Sequence, residues 1–112
     1  MNEAQLEQAM QLIFVAGNAK SMAMNAIIEA ENGNLVHSKE IIKEAKQTLH
    51  DAHSIQTGWL TSEMNGEMIE KSILLIHSQD HFTTANIMID LAERFQILYS
   101  KLEKVMKQNE KN

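Results

Sequence analysis

No proline interrupts this chain, and only four glycines are present. A chain without proline has lost its strongest helix breaker, so its helices end only where glycine and capping residues end them. Two similar tetrapeptides, ENGN at 31–34 and MNGE at 64–67, do that. In the first, Gly33 is placed to follow a helix end and Asn34 to cap the next helix. Asn65 and Gly66 repeat the device. The three stretches between them are rich in Ala, Met, Leu, Glu, Lys and Gln, all good helix formers. The expected elements are helices over 2–31, 35–62 and 67–106. Short turns between long helices make antiparallel neighbours. The expected fold is therefore all-α: a single domain over 1–112 folded as an antiparallel three-helix bundle, with a frayed tail from about residue 107.

Apolar residues recur at three- and four-residue spacing along the first helix: Leu6, Met10, Ile13, Ala16, Ala19, Ala23, Ala26, Ile27 and Ala30. Gly17 interrupts the stripe, as a weak point or as a place of close helix approach. The second helix carries Ile42, Ala45, Leu49, Ala52, Gln56 and Leu60, with Lys43, Glu44, Lys46 and Gln47 pointing away. On the third, a wheel places Gln79, Thr83, Asn86, Asp90 and Glu93 in one narrow polar stripe. Leu74, Ile76, Ala85, Ile87, Met88, Leu91, Ala92, Phe95, Leu98, Tyr99 and Leu102 fill most of the rest. Two partner helices do not cover so wide an arc, and a helix apolar nearly all round is buried nearly all round. The third helix is expected to pack against copies of itself.

Composition removes several functions. Without cysteine there is no disulfide, thiolate ligand or cysteine nucleophile. The absence fits a reducing, cytoplasmic location. The net charge of −5, with lysines scattered among acids, argues against nucleic-acid or anionic-membrane partners. The tail lysines 101, 104, 107 and 111 are interrupted by Glu103 and Glu110 and read as a solvated helix end. MNEAQLEQ has no basic stretch before an apolar run, so no signal peptide is expected. The apolar runs fall far short of the about 18 residues of a membrane span.

One stretch, ILLIHSQDHFTTA at 73–85, sets polar groups among apolar ones. Asp80 falls on the apolar side of the wheel, near Ile76, Ile87 and Leu98, flanked by His77, His81 and Thr84. The patch is expected to point into protein. Buried aspartate is rare unless paired or bound to metal. No Lys or Arg sits a turn away, and Arg94 is about four turns along. Three readings fit. The first is a satisfied polar core. The second is a metal site using His77 and His81, whose spacing brings their Cβ atoms within about 5–6 Å. Neither H-E-x-x-H nor Glu-x-x-His is present, which removes zincin and ferritin-like sites. In a symmetric oligomer, copies of Asp80 meeting on an axis need a shared cation or proton. The third is a phosphohistidine: a neutral imidazole is a competent nucleophile toward phosphorus, and such a site needs mainly positioning and charge neutralisation. His81, Ser78 or Thr84 would then donate to phosphate oxygens.

The motif LLIHSQDH resembles the apolar run leading into H-A-Q-D-H of the lactose/cellobiose-type IIA components of the bacterial phosphoenolpyruvate-dependent sugar phosphotransferase system. AGNAKSMAMNAI (16–27), AHSIQT (52–57) and DLAERFQILYSKLE (90–103) resemble that family's other helical motifs, in the same order. The resemblance implies a homotrimer of three-helix protomers forming a nine-helix bundle. It implies that His77 accepts phosphate from the phosphocarrier HPr and hands it to a cysteine of a IIB protein or domain, during uptake of a β-linked disaccharide of cellobiose, chitobiose or lactose type. It implies that Asp80 gathers on the trimer axis around a structural divalent metal, Mg²⁺ in character. His81 is expected to steady the phosphoryl group or to fill the seam, and Gln79 to lie on the outer stripe as a docking residue or a plain surface one; His53 and Gln56 belong to the second-helix motif, where Gln56 is expected to bond a buried group. His37 and His50 match no motif and are expected to face solvent. Ser78 stands where Ala is commoner and adds a hydroxyl beside the site. Ile89 stands where many members carry Lys and is expected to alter a surface contact. Two rivals stand beside this reading: a histidine phosphotransfer domain of two-component signalling, which usually carries Lys where this chain has Asp80, and a metal-clamped oligomerisation module.

Overall fold

The computed structural model of the protein describes residues 2–111, the side chain of Lys111 excepted. Three helices follow in chain order: α1 (Glu3–Glu31), α2 (Leu35–Met64) and α3 (Ile73–Lys111). They form a rod of 66 × 22 × 20 Å, whose length is set by the 39 residues of α3. Among the described residues no helix is long and apolar enough to cross a membrane.

Both turns close in the same way. After α1, the Gly33 amide donates to the Ala30 carbonyl and the Asn34 amide to Glu29. After α2, Gly66 and Glu67 donate to Glu63 and Ser62. These bonds satisfy carbonyls that a helix end leaves unpaired, and they require positive φ, +86° at Gly33 and +84° at Gly66. Asn34 precedes α2 as expected, but its side chain makes no cap. Its amide instead donates to Glu29 Oε2 at 2.9 Å, tying the turn back to α1.

The third helix begins later than expected. Residues 67–72 are not helical, and Ser72 opens α3: its Oγ accepts the Leu75 amide at 3.1 Å and its carbonyl accepts that of Ile76. At the other end the helix continues past the expected stop near residue 106 to Lys111, with Glu103 and Lys107 paired at 3.3 Å. Asn112, in the expected frayed tail, lies outside the described residues.

The core is built on alanine. Ala9, Ala16, Ala19, Ala23, Ala26 and Ala30 of α1 are buried against Ala45 and Ala52 of α2 and Ala85 and Ala92 of α3. Small side chains let helix axes approach closely, so α1 packs extensively on both partners, which touch each other less. Leu12, Ile41, Ile42, Leu49, Trp59, Phe82 and Ile89 fill the remaining space. In the first turns of α1 the expected stripe is wrong: Ala9 and Leu12 are buried while Leu6 and Met10 are exposed. That end of α1 is apolar on two sides, and the side with the smaller residues turns inward. Gly17 has nothing within 4 Å of where a Cβ would stand, so no close approach inside one chain explains it.

Buried polar groups fix the axial levels. Ser38 Oγ donates to the Ala26 carbonyl at 2.6 Å and accepts from Gln96 Nε2 at 2.8 Å, joining all three helices. Toward the other end, Trp59 Nε1 donates to Gln8 at 2.8 Å and Gln56 Nε2 to Gln79 at 3.0 Å. Residues 8–26 of α1 therefore run alongside residues 79–96 of α3, in the same direction.

Candidate functional site

Because Ser72 starts α3, His77 lies in its second turn. Side chains on a helix tilt toward its N-terminus, so this imidazole leans toward the end where amide groups are unpaired and the backbone dipole is positive. His81 follows one turn later on the same side. Their rings are perpendicular, with centroids 4.5 Å apart and Nε2 to Nε2 at 3.1 Å. His77 is exposed and His81 half-buried.

Burial, then the neighbouring His77 and the Lys20 ammonium, hold His81 below the ordinary imidazole value, against the opposite pull of Asp80. A neutral His81 carries one hydrogen. Its Nδ1 is buried without a partner. An orphaned N–H is rarer in proteins than an under-satisfied acceptor, so we assign the hydrogen to Nε2. His81 Nε2–H then donates to the lone pair of His77 Nε2. With that assignment, a neutral His77 carries its hydrogen on Nδ1 and turns its Nε2 lone pair toward His81.

Asp80 is exposed in the single chain, as is His77. The expectation that the patch points into protein is not met within one protomer, because neither α1 nor α2 reaches that face of α3. Ile73, Ile76, Asp80, Thr84, Ile87, Leu91, Phe95, Leu98 and Leu102 follow one another at intervals of three and four, and all are exposed. Thr84 Oγ1 donates to the Asp80 carbonyl at 2.7 Å. That leaves the Asp80 carboxylate as the ionic group of an otherwise largely apolar seam. The imidazole pair lies along its edge. Among the described residues, no cluster of three or more His, Cys, Asp or Glu side chains able to hold a metal occurs within one chain.

Several finer expectations change. The Ser78 side chain is fully buried and donates to the Leu75 carbonyl at 2.6 Å, so it faces the core rather than the site. The Thr84 hydroxyl is likewise spent on backbone. Ile89 is a core residue, 4% exposed, and alters no surface contact. Gln79 is half-buried and accepts from Gln56, because α2 crosses over the start of the polar stripe. That bond also gives Gln56 its partner. His53 rests beside Phe82, ring centroids 5.8 Å apart. His37, 3.7 Å from Glu40, and His50 are exposed, as expected. The sequence patterns did not mark Lys20, whose charge acts on His81. Its presence inside the AGNAKSMAMNAI motif, beside the buried alanines, was the available signal.

The chain is thus an all-α bundle that carries a pair of contacting imidazoles on its last helix, bordered by a largely apolar seam. Residues 7–100 match the profile of the PTS system, Lactose/Cellobiose specific IIA subunit. The chain belongs to that family. It is 34% identical over 102 residues to the lichenan-specific phosphotransferase enzyme IIA component of Bacillus subtilis, covering 91% of this chain and 93% of that one. The fold matches the crystal structure of the PTS cellobiose-specific enzyme IIA from Bacillus anthracis with a TM-score of 0.87 and 41% identity, over 93% of this chain and 94% of that one. It also matches, with a TM-score of 0.73 and 27% identity over 92% and 99% of the two chains, the IIA(Chitobiose)–HPr complex of the Escherichia coli phosphotransferase system.

Proposed function

We propose that this IIA component relays phosphate through His77 in the cytoplasm, accepting it from HPr and passing it to a cysteine of the cognate IIB component, for uptake of a β-linked disaccharide of cellobiose, chitobiose or lactose type. The observation that carries the reading is the 3.1 Å contact between the two Nε2 atoms. It aims a hydrogen-bond donor at the nitrogen that would be phosphorylated. The His77 Nε2 lone pair attacks the phosphorus of phospho-HPr; the new N–P bond forms as the bond to the donor breaks. His77 keeps its Nδ1 hydrogen, and its ring becomes cationic beside the anionic phosphoryl group. His81 Nε2–H, released from the lone pair it held, turns to a phosphoryl oxygen. In the second transfer the IIB thiolate attacks phosphorus, the S–P bond forms and the N–P bond breaks, restoring the resting pair. Such chemistry asks little beyond positioning and charge neutralisation. HPr is the partner named for the chitobiose relative.

The working form is proposed to be a homotrimer, a nine-helix bundle. Support comes from the exposed seam of α3: a three- and four-residue apolar repeat is the pattern of a helix that packs on its own copies. Asp80 is the seam's ionic group. Its hard oxygen donors suit Mg²⁺ or a similar divalent cation, and one chain alone supplies too few of them. Copies of Asp80 would hold the ion, and the ion would supply charge neutralisation on the axis.

The test is reconstitution with phosphoenolpyruvate, enzyme I, HPr and the IIB component. Labelled phosphate should appear on this chain and then on IIB. A chain left unlabelled by phospho-HPr, but labelled by a phosphorylated response regulator, would favour a two-component phosphotransfer domain instead.

A further inference from the structure

We propose that Asn65 is a site of spontaneous deamidation, and that it reacts well ahead of Asn32. Only these two asparagines precede glycine, in the turns that follow α2 and α1. Glycine has no Cβ to shield its amide nitrogen, so that nitrogen can reach the asparagine side chain. In the reaction the Gly66 amide gives its proton to hydroxide, and its nitrogen attacks Asn65 Cγ. A new N–C bond forms as the bond from Cγ to the side-chain nitrogen breaks. That nitrogen takes a proton from water and leaves as ammonia, which restores the hydroxide. The cyclic imide then takes up water at either carbonyl. One opening gives aspartate; the other gives isoaspartate, with the main chain running through the former side chain. Water is the one co-reactant.

The closed turns hold this chemistry back to the same degree. Backbone ψ is 6° at both asparagines. Each glycine amide donates to a helix carbonyl at 3.1 Å, Gly33 to Ala30 and Gly66 to Glu63. Both pairs are exposed, so water reaches both. Reaction therefore waits for the turn to open, and the easier opening decides which asparagine goes first.

The bracing of the two turns differs. The first has helix on both sides, α1 ending at Glu31 and α2 starting at Leu35. The Asn34 side chain ties it to Glu29 at 2.9 Å, and the Asn34 carbonyl accepts from the Ser38 amide at 2.9 Å. Helix α3 runs past it: Asn32 and Gly33 line one groove with Tyr99, Leu102 and Met106. The second turn leads instead into the non-helical residues 67–72. Met64 and Met68, on either side of it, are 80% and 93% exposed. Below it the chain is held by half-buried Ile69 against the core and by the exposed Lys71–Glu63 pair at 3.6 Å, a weak tie. Opening at Gly66 thus breaks backbone bonds at one helix end and little packing. Opening at Gly33 pulls on two helices and on the contact with α3.

The product disturbs the turn that made it. A new carboxylate stands at the C-terminal end of α2, where the helix dipole is negative, with Glu63 and Glu67 close in the chain. Isoaspartate also lengthens the main chain, so the bonds from Gly66 to Glu63 and from Glu67 to Ser62 lose their register.

The experiment incubates wild type, Asn65→Gln and Asn32→Gln at mildly alkaline pH, both folded and in urea. Peptide mapping by mass follows the amide-to-acid exchange at each site, and fragmentation separates isoaspartate from aspartate. In urea the two asparagines should convert at similar rates. In the folded protein Asn65 should convert about tenfold faster than Asn32. The early conversion should vanish in Asn65→Gln, because glutamine must close a larger ring, and persist in Asn32→Gln. Aged wild type should unfold at lower urea than Asn65→Gln aged alongside it. Equal folded rates at the two sites, or a faster Asn32, would overturn the proposal. So would a folded protein that keeps Asn65 intact while the chain in urea converts.

Discussion

His77 Nε2 and His81 Nε2 lie 3.1 Å apart with their rings perpendicular, while His81 Nδ1 is buried and unpartnered. Under the proposed relay, with the hydrogen of His81 on Nε2, one imidazole supports the other. His81→Ala should slow phosphate acceptance by about tenfold without abolishing it, the net worth of one hydrogen bond. The check is the initial rate with phospho-HPr.

Folding stability should depend on pH through the same ring. His81 has a folded pKa below its ordinary value of 6.5, so the unfolded chain takes up its proton first as pH falls. Its contribution is complete above about pH 6.5 and declines as pH drops through the window below that value. Urea midpoints measured between pH 7.5 and 5 should fall less for His81→Gln than for wild type. Phosphorylation of His77 adds negative charge beside the ring and should raise the His81 pKa, readable by ¹⁵N NMR.

The Ser38 hydroxyl joins three helices in the buried core. Ser38→Ala leaves Gln96 Nε2 without its acceptor inside the protein. The expected cost is about 1–3 kcal/mol, the usual penalty for a buried unsatisfied group. Thermal or urea denaturation checks it, and Gln96→Leu in the same background should recover part of the loss.

Leu91→Glu tests the seam. Leu91 is 46% exposed in the protomer, so the change should leave the helices of one chain intact by circular dichroism. Sedimentation at micromolar concentration should show a trimer for wild type and a monomer for the variant. Asp80→Leu should remain trimeric, because it replaces a buried charge by packing. Dissociation after that change would show the cation to be indispensable.

How much of this was legible follows from how each signal arises. The glycine turns could be read because positive φ has a sequence signature at Gly33 and Gly66. The alanine stripe from Ala16 to Ala30 could be read because periodicity alone defines it. The pair of Leu6 and Met10 misled because the start of α1 is apolar on two faces, and a wheel does not say which faces the bundle. Ser72 carried the cap signal, a serine just before the apolar run at Ile73, yet the Gly66 turn drew the boundary to itself. Gln79 and Ile89 depend on where α2 crosses α3, a tertiary fact that no single-helix wheel contains. The influence of the Lys20 charge on His81 was missed for the same reason: it depends on how α1 packs against α3. His77 and Asp80 were singled out as polar residues among apolar ones, and the family resemblance supplied the roles proposed for them.

The most direct test of the central claim is to locate the phosphate. Wild type and His77→Ala should each be incubated with phosphoenolpyruvate, enzyme I and HPr, then measured by intact mass under alkaline conditions that preserve phosphohistidine. The account predicts one added phosphate per wild-type chain and none on His77→Ala. A wild type of unchanged mass, or a variant that still gains the phosphate, would contradict it.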